Sequence, residues 1–208
     1  MNGISHNILR IRCRPTRWHV PRGLLAPLIV SLLLSLVAVL NACAQTPSPN
    51  EYQVKAAFLF NFMKFIDWPA VAYTSPQSPF AICILGKDPF GSLLDDALLG
   101  KTMDNHPVAV RRLKDIADAR HCQVMFVSSS ETKKYAEIVD SVRGANILLV
   151  GETGGFAAAG GTIEFILEES HVRFAINPDA AERAGLRCSS KLLALAKIIH
   201  DEGHSKGG

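Results

Sequence analysis

Residues 122–150, Cys-Gln-Val-Met-Phe-Val-Ser-Ser-Ser-Glu-Thr-Lys-Lys-Tyr-Ala-Glu-Ile-Val-Asp-Ser-Val-Arg-Gly-Ala-Asn-Ile-Leu-Leu-Val, carry the pattern that decides the fold. Cys122 to Val127 is a short apolar run of strand length. Ser128-Ser-Ser-Glu131 then has the spacing of a capping box, in which the Ser128 hydroxyl and the Glu131 carboxylate satisfy the first free amides of a helix through Val142. Gly144 closes that helix, and Asn146 to Val150 is the next strand.

The same rhythm extends upstream. Phe80 to Leu85 reads as a buried strand ending at Gly86, followed by a short helix from about Phe90 to Leu99 that ends at Gly100. Pro107 to Arg111 is a second strand, and Leu113 to Ala119 a weak helix. Downstream the pattern changes. Gly151 to Gly161 is glycine-rich, and Thr162 to Glu168 and His171 to Asn177 are two strands joined only by Glu169-Ser170, the mark of an antiparallel hairpin. Asn177-Pro178 caps a short helix ending at Gly185, and a final helix is expected over Ser190 to His200. Strands alternating with helices predict a single three-layer α/β domain: a mostly parallel sheet flanked by helices, with an antiparallel hairpin at one edge.

Ahead of the first strand, Glu51 to Trp68 reads as a helix closed by Pro69. Its apolar load is heavy, with Asn61, Lys64 and Asp67 as one narrow polar stripe. A helix this apolar must be covered on most sides, first by its own domain's core, with another subunit or a partner protein as the alternative for part of it.

The N-terminus has an export pattern. Five arginines and no acid precede an apolar run from Leu24 to Leu40, and Ala42-Cys-Ala44 is a small-residue cleavage site. Residues 1–44 are therefore expected to be a signal peptide, 45–50 a polar linker, 51–200 the domain and 201–208 a disordered tail. After cleavage no membrane span is expected. An uncleaved anchor is one alternative. Lipidation at Cys43, within Leu40-Asn-Ala-Cys43, is the other, and would make the protein an anchored lipoprotein. All three readings place the domain outside the cytoplasm.

Without the leader, 17 Lys and Arg face 19 Asp and Glu, a net charge of −2, so no basic excess supports nucleic-acid binding. Cys83, Cys122 and Cys188 remain. Neighbouring strands favour a Cys83–Cys122 bridge, with Cys188 buried and inert, although spacing alone leaves the other pairings open.

No catalytic set assembles. The glycine-rich loop lacks a following Gly-Lys-Ser/Thr and leads into a strand, so it reads as a turn that lets Phe156 tuck in. Ser130-Glu-Thr-Lys133 matches a Ser-x-x-Lys nucleophile pattern without its companion elements. His200 and His204 have a metal-ligand spacing but no third ligand nearby. No enzyme activity, cofactor or metal is expected.

Several blocks resemble the YfiR family: Glu51-Tyr-Gln-Val-Lys-Ala-Ala-Phe-Leu-Phe-Asn-Phe-Met-Lys-Phe-Ile-Asp-Trp-Pro69, Ile82-Cys-Ile-Leu-Gly-Lys-Asp-Pro-Phe-Gly91, Gly154 to Gly161, Val172 to Asn177 and Ala184 to Ala196. Together they span about residues 51–200. The resemblance implies a periplasmic regulator with an α/β fold, often a homodimer. Such a protein binds and represses the periplasmic sensor domain of an inner-membrane diguanylate cyclase, lowering cyclic di-GMP and so bearing on biofilm formation. It also implies the Cys83–Cys122 disulfide; a second pair found in some members has no counterpart here. The other class of function is a periplasmic small-ligand binding or sensor protein acting with a kinase or receptor, with the glycine-rich loop at the mouth of a cleft. The partner surface is expected on the outer residues of the first helix and on the region 154–176, with Phe156, Phe165 and Phe174 as its candidate residues.

Overall fold

A computed structural model describes residues 49–201, with 74 and 76 excepted. The leader, its cleavage or lipidation site at Cys43, most of the linker and the tail with His204 lie outside the described residues.

In chain order the elements are α1 (Pro49–Lys64), β1 (Ile66–Asp67), β2 (Phe80–Leu85), α2 (Ser92–Leu98), β3 (Thr102–Met103), β4 (His106–Leu113), β5 (Val124–Val127), α3 (Tyr135–Ser141), β6 (Leu148–Gly151), β7 (Ile163–Glu168), β8 (His171–Ile176), α4 (Pro178–Arg183), β9 (Arg187–Cys188), α5 (Ser190–Leu193) and β10 (Lys197–Ile198). Eight strands form one sheet in the order β10-β8-β7-β6-β5-β2-β4-β3. The pairs β4–β2–β5–β6–β7 are parallel, as is β10–β8. The pairs β7–β8 and β3–β4 are antiparallel. The predicted α/β architecture and edge hairpin are therefore present.

The central strands are apolar on both faces because both faces are covered. Alternation along β2 divides the core. Phe80, Ile82 and Ile84 join α1, α2 and the inward residues of β7 and β8, while Ala81, Cys83 and Leu85 face α3 with Met125, Leu149 and Phe156. The hairpin turn places Glu169 at φ +48° and Ser170 at φ +66°, the two left-handed residues that a tight β-hairpin turn requires.

Three expectations are corrected. The first helix starts at Pro49 and stops at Lys64, five residues before Pro69. Ile66 and Asp67 instead pair antiparallel with Arg187 and Cys188, and the Trp68 indole N–H donates to the Met63 carbonyl at 2.9 Å, capping the last turn. The final helix covers only Ser190–Leu193. Lys197 and Ile198 leave it to pair with Ala175 and Ile176 of β8, and Ile199 N–H donates to the Ile176 carbonyl. Strand pairing along an otherwise open edge outweighs helix propensity there. Finally, the capping box is only half formed. Ser128 Oγ accepts from the Ser130 amide, but Glu131 takes the Ser130 hydroxyl, and 129–134 is a 3₁₀ turn ahead of α3.

Candidate functional site

The first region is the face where α1 meets the hairpin. Phe58 and Phe62 of α1 pack edge-on against Phe174 at centroid distances of 5.5 and 5.1 Å, and Phe62 lies 5.7 Å from Phe165. That packing buries two of the candidate partner residues, Phe165 (3 % exposed) and Phe174 (6 %), while Phe156 (0 %) is buried against Tyr135. The three are not brought together either, because Phe156 belongs to the α3 side of the sheet and the other two to the α1 side. The accessible apolar surface nearby comes from other residues. Leu167 and Val172 sit opposite each other on the hairpin, two residues beyond Phe165 and Phe174 on the same face. Leu167 is 57 % exposed, and Val54 is exposed on α1. Alternation from Phe165 could have found Leu167; nothing in sequence spacing says where α1 stops covering the hairpin.

The glycine-rich loop holds Phe156 as expected. A Cβ on Gly151 or Gly161 would come within 2.5 or 2.2 Å of the Phe156 ring, so only glycine lets the backbone wrap that closely. Buried Glu164 fixes the loop by accepting from the amides of Gly155 (3.2 Å) and Ala157 (2.9 Å). Its carboxylate fills the place a bound anion would need.

Cys83 and Cys122 form a disulfide with Cα atoms 5.8 Å apart. Both are buried, which suits a structural bridge better than an exposed redox switch. Cys188 is a half-buried free thiol on β9. Burial, and secondly the charge of Asp67, push its pKa up to about 11. At pH 8 its labelling by iodoacetamide is expected to be at least roughly tenfold slower than in the urea-unfolded chain, because the thiolate is the nucleophile. Equal rates in a stopped-time mass measurement would contradict this environment.

The second region lies at the carboxyl ends of β2, β5 and β6. From β2 the chain proceeds to β4 on one side and then crosses to β5 on the other, so the loops after β2 and β5 diverge at a topological switch point. A cleft of about 560 Å³ opens there, lined by Tyr52, Lys87, Asp88, Pro89, Leu93 and Ser128–Ser130. Beneath it, Lys55 Nζ reaches Glu152 Oε2 (2.9 Å) and Glu51 Oε1 (2.6 Å), with the Lys55 and Glu152 side chains 7 % and 5 % exposed. The Tyr52 hydroxyl donates to the same Glu152 oxygen at 3.1 Å, and the Ser129 amide to the other at 3.3 Å. Burial, then the Glu152 charge, raise the Tyr52 pKa well above the usual phenol range, so it stays a neutral donor. This network ties the first turns of α1 to the sheet. Sequence reading missed it, because Lys55 and Glu152 are 97 residues apart.

Two of the remaining sequence candidates are engaged elsewhere, Ser130 and His200. Ser130 Oγ donates to Glu131 and accepts from the Lys87 amide, so the hydroxyl is committed away from Lys133. His200 pairs with Asp179 at 3.1 Å. Among the described residues no group of three or more His, Cys, Asp or Glu side chains converges as a metal site. Among the same residues no helix is long and apolar enough to cross a membrane.

The domain is a disulfide-pinned α/β sheet with an aromatic helix clamped to its hairpin. The chain belongs to the YfiR/HmsC-like family, whose model matches residues 52–197. The fold is also similar to the crystal structure of a conserved domain protein from Vibrio cholerae O1 biovar El Tor, at 11 % identity and a TM-score of 0.50. That match covers 71 % of this chain and spans 59 % of the Vibrio chain.

Proposed function

We propose that this protein is exported to the periplasm, where it binds the periplasmic part of an inner-membrane diguanylate cyclase and holds the cyclase off. The observation that carries this reading is the family match, which runs from the first turn of α1 to β10. Repression of this kind requires tighter binding to the off state than to the on state. Shifting a partner from 1:99 to 99:1 takes about 5.5 kcal/mol of differential affinity. A rigid scaffold presenting a small apolar rim suits that task, and the exposed Leu167 and Val54, with half-buried Val172 opposite Leu167, are the surface assigned to it. Phe165 and Phe174 contribute from beneath, by setting the angle of the hairpin against α1.

Deleting the gene is expected to raise cellular cyclic di-GMP severalfold, with restoration by the exported protein and not by a leaderless copy. Unchanged cyclic di-GMP in the deletion strain would overturn the reading. Leu167→Glu is expected to leave the unfolding midpoint unchanged, because the side chain is already in water, and to fail to restore repression. Full repression by a folded Leu167→Glu protein would move the surface elsewhere.

A further inference from the structure

The geometry points to the cleft at the switch point as a binding site for a small organic anion, a carboxylate or phosphate monoester carrying a flat apolar body. The inference stands apart from the partner reading above and rests on what the cleft's polar groups leave unspent.

Most of the polar groups that line the cleft are committed within the protein. Asp88 accepts from the amides of Phe90 (2.7 Å) and Gly91 (3.3 Å) and from Arg112 Nε (2.8 Å). Ser128 Oγ accepts from the Ser130 amide, and Ser130 Oγ serves the Lys87 amide (3.0 Å) and Glu131 (3.0 Å). The Tyr52 hydroxyl is spent on Glu152. Two lining side chains stay open among the described residues: the Lys87 ammonium and the Ser129 hydroxyl, both exposed. A cation and a hydroxyl donor on opposite loops, with no open acceptor carboxylate between them, select an anion. The nearby acids are each engaged by a cation other than Lys87: Asp88 and Asp95 by Arg112, Glu131 by Lys134 at 3.4 Å, and Glu51 and Glu152 by Lys55.

The rest of the wall is apolar. The Tyr52 ring, Pro89 and Leu93 supply flat and aliphatic surface, and the volume falls within the range of small-molecule sites, roughly 300–1,000 Å³. The two loops are also pre-set. Gly86 has φ +90°, and a Cβ there would lie 2.4 Å from Ser130 Oγ, so the β2 loop rests directly on the β5 loop and carries Lys87 to its place. A pre-formed, half-apolar cleft with one open cation is the composition expected of a ligand pocket.

The test uses ¹⁵N-labelled protein, purified as cells process it, titrated with benzoate, phenyl phosphate, inorganic phosphate and benzyl alcohol. Saturable shifts of the Lys87, Ser129 and Ser130 amides are expected with benzoate or phenyl phosphate, at dissociation constants on the order of millimolar for ligands so small. The stronger of the two identifies a carboxylate or a phosphate ligand. Benzyl alcohol and inorganic phosphate, each lacking one half of the recognition, are expected to bind roughly tenfold more weakly. Lys87→Met is expected to weaken benzoate and phenyl phosphate by a similar factor, and Ser129→Ala by less. Both residues are exposed, so the variants should fold. Equal binding by Lys87→Met, equal binding of benzyl alcohol, or the absence of any saturable shift would each overturn the assignment.

Discussion

Replacing Cys83 and Cys122 together with alanine is expected to lower the unfolding free energy by about 4 kcal/mol. The bridge spans 39 residues of sequence. Closing a loop of that length removes about 13 cal/mol/K of chain entropy from the unfolded state, which is about 4 kcal/mol at room temperature. For a domain of this size the melting midpoint should fall by roughly 8–16 °C. The bond ties Cys122, at the end of the 3₁₀ turn two residues ahead of β5, to the middle of β2, the strand that β5 pairs with. Urea unfolding of oxidised parent and variant measures the difference directly. A Cys188→Ser protein, which removes a half-buried thiol but no bridge, serves as the control and should lose much less than the double variant. An unchanged midpoint for the double alanine variant would mean that the bridge contributes nothing to the folded state.

Lys55→Met is expected to cost about 3 kcal/mol. In the native protein the Lys55 ammonium lies between the Glu51 and Glu152 carboxylates, and both Lys55 and Glu152 are almost fully buried. Removing one partner of a buried pair strands the other charge in a poorly solvated place, at about 3–5 kcal/mol. The lower end applies because Glu152 keeps the Tyr52 hydroxyl and the Ser129 amide. Combining Lys55→Met with Glu152→Gln should recover part of the loss, since the amide needs no counter-charge while Glu51 still loses Lys55. A cycle of the two single variants and the double variant measures their coupling. A Lys55→Met protein within about 0.5 kcal/mol of the parent would show that the network is solvated and holds nothing in place.

These two links were not equally legible in the sequence. Cys83 and Cys122 sit in adjacent apolar runs of strand length, and adjacency in a sheet was enough to favour the pair. β2 was legible residue for residue because Pro79 and Gly86 bound it. The hairpin was legible because two residues admit only a tight turn. Signals at a distance were not legible. Pro69 looked like the end of α1, yet the helix ends at Lys64 because residues 66–67 find partners at 187–188. The periodic leucines of the last segment looked helical through His200, yet the open edge of β8 drew residues 197–198 into the sheet. The cleft was illegible for the same reason. Its walls come from one helix and two loops, around residues 52, 87–93 and 128–130, and no local pattern joins them. Phe165 and Phe174 were correctly read as apolar residues of the hairpin, but which aromatic rings reach water depends on where α1 lies.

Capture of the partner tests the central claim most directly. A photo-crosslinking residue in place of Leu167, in protein expressed at native level with its own leader, should form an adduct with a membrane protein that carries a diguanylate cyclase domain. The adduct should vanish when the crosslinker is moved to Arg143, which is exposed beyond α3 on the opposite side of the sheet. An exported, folded protein that crosslinks at Leu167 to no diguanylate cyclase would contradict the account.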